Sequence, residues 1–264
     1  MKRNVVGVLV DATTYGESVD LILEAARNRT PLAVSALAVH GVMTGVHDPQ
    51  HRYRLNRIDL VTPDGQPVRW ALNLLHGAKL KDRVYGPTLT GKVLAQAAEE
   101  GIPVFFYGST TETLDALRAR LTERHPDLVI AGMTPSRFRT TTPEEKLEIA
   151  AQIRESGAQI VFVGLGCPRQ EVFVYEYRDL VGVPMLAVGA AFDYHAGLVK
   201  EPPSWMQRAG LQWLYRLGQD PKRLWRRYVL LNPDYLARLA AQRLGLWRPS
   251  PESAVAPTEE VLYG

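Results

Sequence analysis

The chain has 264 residues and a formal net charge of +3; 46% of the residues are hydrophobic and 22% are charged, a balance typical of folded globular proteins and unlike that of disordered or fibrous ones. No uninterrupted apolar stretch reaches the roughly 18 residues that predict a membrane-spanning helix; the one at residues 183–192 covers ten. The apolar run near the N-terminus is too short for a signal peptide, and the single cysteine, Cys167, excludes an internal disulfide and a cysteine-based zinc site, so we expect a cytoplasmic protein.

Short runs rich in β-branched residues alternate with stretches of helical spacing over most of the chain. The predicted strands are residues 5–10, 32–37, 58–62, 104–107, 128–131, 160–163 and 185–188. The predicted helices between them are residues 18–29, 66–75, 88–100, 111–124, 143–156 and 168–180. This alternation predicts an α/β fold, a mostly parallel sheet with helices on both faces, which binds ligands at the carboxyl ends of its strands.

The predicted strands end before residues 200–248, which are expected to be wholly helical, with Pro202, Pro221 and Pro233 at helix starts. This segment holds ten Lys or Arg residues but only three Asp or Glu, and four of the five tryptophans. Basic and aromatic residues together indicate an anionic membrane surface or a nucleic acid as partner. A helical bundle with its aromatic residues in the core and its arginines in solvent explains the composition equally well.

Residues 249–264 are rich in proline, alanine and glutamate, which predicts a flexible tail. The sequence therefore divides into an α/β domain (1–199), a basic helical appendage (200–248) and this tail.

Some segments have the spacing of known binding sites without their defining residues. Residues 86–93 match a P-loop, but Val93 stands where Ser or Thr would bind Mg²⁺. Residues 164–166 follow a strand and precede a helix as in a dinucleotide-binding loop, but Arg169 replaces the third glycine. Glycines at such a turn still let the backbone approach a ligand closely, and the following helix start directs N–H groups toward phosphate oxygens.

His47, Asp48 and His51 could suggest a metal site, but Pro49 follows Asp48, which indicates a helix N-cap and a first helical residue instead. The chain also has no Asp-x-Asp pair that would hold a divalent ion on a nucleotide diphosphate. We therefore expect no metal in any reaction on a nucleotide sugar.

Two aspartates follow predicted strands and so lie at the ligand-binding edge of the sheet. Asp64 lies between Pro63 and Gly65, after the strand 58–62, and Asp193 follows the last strand. Pro-Asp-Gly is also a common turn sequence without any function. At a strand end, however, a carboxylate can hold sugar hydroxyls or the edge of a base by hydrogen bonds.

Around these two aspartates, and over most of residues 5–227, the sequence resembles the WecG/TagA/CpsF family of bacterial glycosyltransferases. Six motifs in the same order carry the resemblance: LNRIDLVTPDG (55–65), DRVYG (82–86), FFYGST (105–110), VGLGCPRQE (163–171), VGAAFDYHAG (188–197) and WLYRLGQDPKRLWRR (213–227). The resemblance implies a Rossmann-like sheet and inverting, metal-independent sugar transfer from a UDP-sugar to an acceptor on a polyprenyl diphosphate. It also implies no cofactor, and it favours a membrane surface over nucleic acid as the partner of the basic segment, at the inner face of the plasma membrane.

By position in these motifs, the resemblance implies that Asp64 is the general base that takes the proton from the acceptor hydroxyl. It also implies substrate-binding roles for a larger set of positions. The expected contacts to the diphosphate are Arg83, Arg216, Arg223 and Arg226; those near the donor are Ser35, Gln170 and Asp193; and the glycines that permit close approach are Gly108, Gly164, Gly166 and Gly189.

The sequence departs from the family pattern at two places. Leu37 stands where a Thr-x-Asn motif would place its asparagine, and Glu201 stands where an arginine is common. The transferred sugar or the acceptor can differ accordingly. Two other functions remain open, a nucleotide-dependent oxidoreductase on the same kind of sheet and a non-catalytic membrane protein that binds nucleotide sugars.

Overall fold

The structure, a computed structural model, describes residues 1–219 and 221–264. For five residues of the C-terminal segment it describes the backbone but not the side chain: Ser204, Arg208, Arg223, Arg226 and Arg227.

The chain folds into alternating strands and helices up to residue 195 and into helices after it. The strands are β1 (Lys2–Val5), β2 (Val8–Asp11), β3 (Leu32–Leu37), β4 (Leu60–Pro63), β5 (Val104–Gly108), β6 (Ile130–Thr134), β7 (Ile160–Gly164) and β8 (Pro184–Ala187). The helices before residue 200 are α1 (Tyr15–Arg27), α2 (Val39–His47), α3 (Pro49–Arg57), α4 (Gln66–His76), α5 (Gly86–Glu100), α6 (Thr111–Arg124), α7 (Pro143–Glu155), α8 (Arg169–Val181) and α9 (Ala191–His195).

Within the described residues, six of these strands form one sheet in the order β4-β3-β8-β7-β5-β6, and each neighbouring pair is parallel. Alternate side chains of each strand enter opposite core clusters: Val161 and Val163 pack on one face of β7, Ile160 and Phe162 on the other. Helices α2, α3, α4, α7 and α8 cover the first face, and α1, α5, α6 and α9 cover the second. The predicted α/β fold with a parallel sheet is confirmed.

The predicted strand at residues 5–10 is wrong in its extent, because the chain reverses in its middle. Val6 and Gly7 both have positive φ, +46° and +96°, and the Gly7 N–H donates to Asn4 Oδ1 over 2.8 Å. Strands β1 and β2 therefore pair antiparallel as a hairpin outside the main sheet. Asp11 ties this hairpin to β4, since its Oδ2 accepts a hydrogen bond from the Val61 N–H at 3.0 Å.

The segment between β3 and β4 contains two helices, α2 and α3, that the strand and helix pattern did not predict. The start of α3 was nevertheless predicted correctly from Asp48 and Pro49. Asp48 Oδ1 accepts hydrogen bonds from the N–H groups of Gln50 and His51 at 2.9 and 3.0 Å, and Pro49 is the first residue of the helix.

The C-terminal segment is helical, as expected. It comprises α10 (Ser204–Arg208), α11 (Gln212–Gln219), α12 (Pro221–Arg226), a π-helical turn (Arg227–Leu231) and α13 (Asn232–Arg243). Helix α13 joins the main core through buried Tyr235 and Leu239, and the Tyr235 hydroxyl donates to the Pro67 carbonyl at 3.1 Å. No helix among the described residues has the length and hydropathy needed to cross a membrane.

Residues 249–264, for which composition predicts a flexible tail, instead run along α3, α7 and α8 with specific contacts. The Glu176 carboxylate accepts hydrogen bonds from the N–H groups of Val261 and Leu262 at 2.9 and 3.1 Å. Lys146 forms an ion pair with Glu260 at 2.5 Å. Composition did not reveal this arrangement because the acceptor is a buried carboxylate on a distant helix.

We predict that Glu176→Gln lowers the free energy of unfolding by about 1–3 kcal/mol. The N–H groups of Val261 and Leu262 lose a charged acceptor. The buried guanidinium of Arg54, whose Nε lies 3.8 Å from the carboxylate, also loses its counter-charge. Urea denaturation measures the change. Glu155→Gln, on the exposed end of α7, is the matched control. Equal stability of the two variants, with equal proteolysis of residues 249–264, would show that Glu176 does not hold the tail.

Candidate active site

A larger and a smaller cavity adjoin at the carboxyl edge of the parallel sheet, where this fold class binds ligands. The larger, of about 420 Å³, is lined by residues that follow β3, β4, β5, β7 and β8; the smaller, of about 120 Å³, extends toward α11 and the π-helical turn. The two share a wall formed by five residues: Ala38, His40, Asp64, Tyr85 and Arg216.

Glycines bring the strand ends together beneath the larger cavity. Gly108 has φ +110°, and a Cβ placed on it would lie 2.8 Å from the backbone of Gly164, so β5 and β7 approach more closely there than any other residue would allow. A Cβ on Gly164 would in turn meet the ring of Phe192 at 2.7 Å. Gly164, Gly166 and Gly189 line the cavity, whereas Gly108 does not line it and contacts Gly164 instead.

Asp64 lies in the shared wall and is half-buried. Its Oδ1 accepts a 2.6 Å hydrogen bond from the N–H of Gly86, the first residue of α5, where the helix dipole favours negative charge. Burial raises the pKa of the Asp64 carboxyl, and the charge of Arg83, the Gly86 N–H and the charge of Arg216 oppose that rise. A carboxylate with a raised pKa is a better proton acceptor than an exposed one.

Two of the arginines expected at the site have described side chains, and both line a cavity. Arg216 of α11 lines both, and Arg83, which is buried, lines only the smaller one. The Arg83 guanidinium lies 4.3 Å from the centre of the Tyr85 ring and donates to Gln207 Oε1 of α10 at 3.4 Å. The side chains of Arg223 and Arg226 lie outside the part of the chain that the structure describes.

Gln170 and Asp193 both line the larger cavity, but Ser35 does not. Ser35 lies buried in β3, and its hydroxyl donates at 3.3 Å to Glu171 Oε1. Glu171 lines the cavity and was missed by the sequence analysis. Its position next to Gln170 in the motif VGLGCPRQE was an available signal, but the sequence did not show that both side chains of this helix turn face the ligand space.

The two departures from the family pattern lie in different places. Leu37, the last residue of β3, lines the larger cavity, as does the nearby His40 of α2. Glu201 is exposed and lines neither cavity. Among the residues that the structure describes, no group of three or more His, Cys, Asp or Glu side chains could hold a metal ion.

The comparisons with known proteins agree with the motifs. Residues 3–249 match the model of the glycosyl transferase WecG/TagA/CpsF family. A relative from Bacillus spizizenii is 33% identical over 192 residues, which are 72% of each chain, and is named N-acetylglucosaminyldiphosphoundecaprenol N-acetyl-beta-D-mannosaminyltransferase. The chain therefore belongs to the WecG/TagA/CpsF family, as its sequence motifs indicated.

We predict that Gly108→Ala destabilises the fold by about 2–4 kcal/mol, the sum of a strained φ and a clash with the backbone of Gly164. Gly157→Ala is the matched control, because Gly157 also has positive φ, +76°, but a Cβ there meets nothing within 4 Å. It should lose only the strain, about 1–2 kcal/mol. Urea denaturation of both variants measures the difference, and equal losses would contradict the close approach of β5 and β7.

Proposed function

We propose that this member of the WecG/TagA/CpsF family is an inverting, metal-independent glycosyltransferase. It moves a hexose or hexosamine from a UDP-sugar to a saccharide carried on a polyprenyl diphosphate at the cytoplasmic membrane face. The observation that carries the proposal is the position of Asp64 in the wall shared by the two cavities. Such a wall lets one carboxylate act between two substrates.

In this proposal the larger cavity holds the UDP-sugar and the smaller one holds the end of the acceptor. The acceptor hydroxyl oxygen attacks the anomeric carbon from the face opposite UDP, so the configuration inverts. The new carbon–oxygen bond forms as the bond from the anomeric carbon to the phosphate oxygen breaks, and UDP leaves with that electron pair. Asp64 takes the hydroxyl proton. Only partial proton removal is needed at an oxocarbenium-like carbon, which suits a carboxylate of raised pKa.

Arg216 and the start of α6 supply the positive potential that the leaving diphosphate needs. Arg216 lines the larger cavity, as do Ser109 and Thr110, the residues that precede α6. The first N–H groups of a helix of this length point toward bound anions, and a guanidinium can donate two parallel hydrogen bonds to phosphate. These groups support a mechanism in which protein cations, not a metal, stabilise the departing charge.

The C-terminal helical segment supports membrane attachment. It carries exposed apolar side chains that do not contribute to the main core: Trp205, Trp213, Leu214, Trp225, Val229 and Leu230. The same segment carries seven more basic than acidic residues. Aromatic side chains settle at the level of lipid headgroups and basic ones attract anionic lipids. Since Trp213 and Tyr228 also line the smaller cavity, this surface would bring that cavity to a lipid-linked acceptor.

We predict that Asp64→Asn lowers turnover by about 10²- to 10⁴-fold, because the amide cannot accept the hydroxyl proton. UDP binding should stay close to that of the unsubstituted protein. Transfer to a lipid-diphosphate saccharide, assayed in EDTA, measures turnover, and calorimetry measures UDP affinity, with reduced nicotinamide as the competing ligand class. Asp127→Asn, at an exposed position, is the control. Undiminished turnover of Asp64→Asn would remove this carboxylate from the mechanism.

We also predict that the double variant Val229→Asp, Leu230→Asp binds anionic liposomes at least about tenfold more weakly, because two side chains, 56% and 61% exposed, can no longer enter the lipid interface. Co-sedimentation with phosphatidylglycerol liposomes measures binding. Leu147→Asp is the matched control, since Leu147 on α7 is 57% exposed but lies outside the C-terminal segment. If the double variant sediments like the control, the membrane surface lies elsewhere.

A further inference from the structure

Residues 261–264, at the end of the tail, pack against the loop between β6 and α7 (residues 135–142). The Leu262 carbonyl accepts hydrogen bonds from the N–H and the hydroxyl of Thr141, at 2.7 and 3.0 Å. These residues lie outside the stretch 3–249 that matches the family model. Membership of the family therefore implies no role for them, and their contacts need an explanation of their own.

A single hydroxyl group links the tail to the larger cavity. The Ser136 hydroxyl donates to the Gly264 carbonyl at 2.9 Å and accepts a hydrogen bond from the Phe138 N–H, also at 2.9 Å. The Ser136 N–H donates to the Ser109 carbonyl at 3.0 Å. Ser109 and Phe138 both line the larger cavity. Hydrogen bonds therefore run without interruption from Gly264 through Ser136 to two residues of the cavity wall.

The position of Phe138 depends on its backbone. Its side chain is 61% exposed, so packing does little to fix the ring. Its φ is +55°, a conformation that is unfavourable for a bulky residue and persists only where neighbouring contacts hold it. Ser109 and Leu262 also have positive φ, +60° and +55°. Three of the six non-glycine residues with positive φ in the described part of the chain therefore belong to this one connected group.

The loop has a second set of contacts, with α7. Arg139 forms an ion pair with Glu145 at 2.6 Å, and Arg137 pairs with the same carboxylate. The Arg139 side chain is 55% exposed, and ion pairs of exposed side chains contribute little to stability. The Leu262 carbonyl, in contrast, bonds directly to the loop backbone at Thr141. The tail is therefore the stronger candidate for holding the loop in place.

We propose that residues 261–264 are a positioning element of the larger cavity: through Ser136 they hold Phe138 in the wall against which the UDP part of the donor binds. This inference rests on the proposed function. A wall residue that is held in place before the ligand arrives does not have to be immobilised on binding, which lowers the entropic cost of association. The tail thus contributes to donor affinity as well as to the stability of the fold.

The test breaks the link in two ways: the chain is ended after Glu260, which removes residues 261–264, or Ser136→Ala leaves the tail in place. We expect each change to weaken UDP binding by about 3- to 10-fold, the loss for one side chain that must be ordered on binding. Calorimetry measures UDP affinity, and urea denaturation shows that each variant is folded. Ser253→Ala is the matched control, since the exposed Ser253 hydroxyl donates within its own segment, to the Ser250 carbonyl at 2.7 Å.

A double-variant cycle separates positioning from a general loss of stability. Phe138→Ala removes the ring on which the tail acts and should itself weaken UDP binding. Combined with Phe138→Ala, neither the truncation nor Ser136→Ala should weaken binding further, because changes that act through one side chain do not add. Additive losses, or unchanged UDP affinity of folded Ser136→Ala or of Phe138→Ala, would overturn the inference while the proposed function stands. If the unsubstituted protein binds no UDP, the proposed function fails first.

Discussion

The hydrogen bond between the Gly86 N–H and the Asp64 carboxylate is the contact on which the site depends. It joins the end of β4 to the first residue of α5, and it holds one carboxylate oxygen so that the side chain stays in the wall between the cavities. The same N–H and the charges of Arg83 and Arg216 limit the rise in the Asp64 pKa that burial causes. A carboxyl without these partners would stay protonated to a higher pH and could accept no proton.

The parallel sheet supplies the frame for this contact. Because its strands are buried on both faces, the backbone ends of β3, β4, β5, β7 and β8 meet at one edge with little freedom to move. Polar groups then concentrate at that edge, where the helix starts and glycine turns leave N–H groups and space for a ligand. The apolar side chains on the two faces of the sheet stabilise the fold. The polar side chains that line the cavity are few and lie at the ends of the strands.

The sequence predicted the sheet well because buried strands are continuous apolar runs; β3 and α6 match their predicted bounds. It failed where a single residue overrides the pattern. Val6 adopts positive φ against its β propensity, so one predicted strand became a hairpin. Asp64 and Asp193 could be placed at the ligand edge because they follow strands, whereas Gln170 was expected there only from the family motif. Glu171 could not be placed at the cavity, because its position there depends on packing beside Ser35, which is 136 positions away along the chain. The contacts of residues 249–264 escaped prediction for the same reason.

The wall that the two cavities share has a thermodynamic consequence. Tyr85 and Arg216 contact both spaces and come from different parts of the chain. In the proposed function, whichever ligand arrives first restricts the motion of these side chains, so the second ligand encounters a surface whose conformational entropy is already reduced. Occupancy of one cavity therefore favours occupancy of the other, and the coupling free energy is the same in both directions. Cooperation between two substrates follows here from common side chains without any large movement of domains.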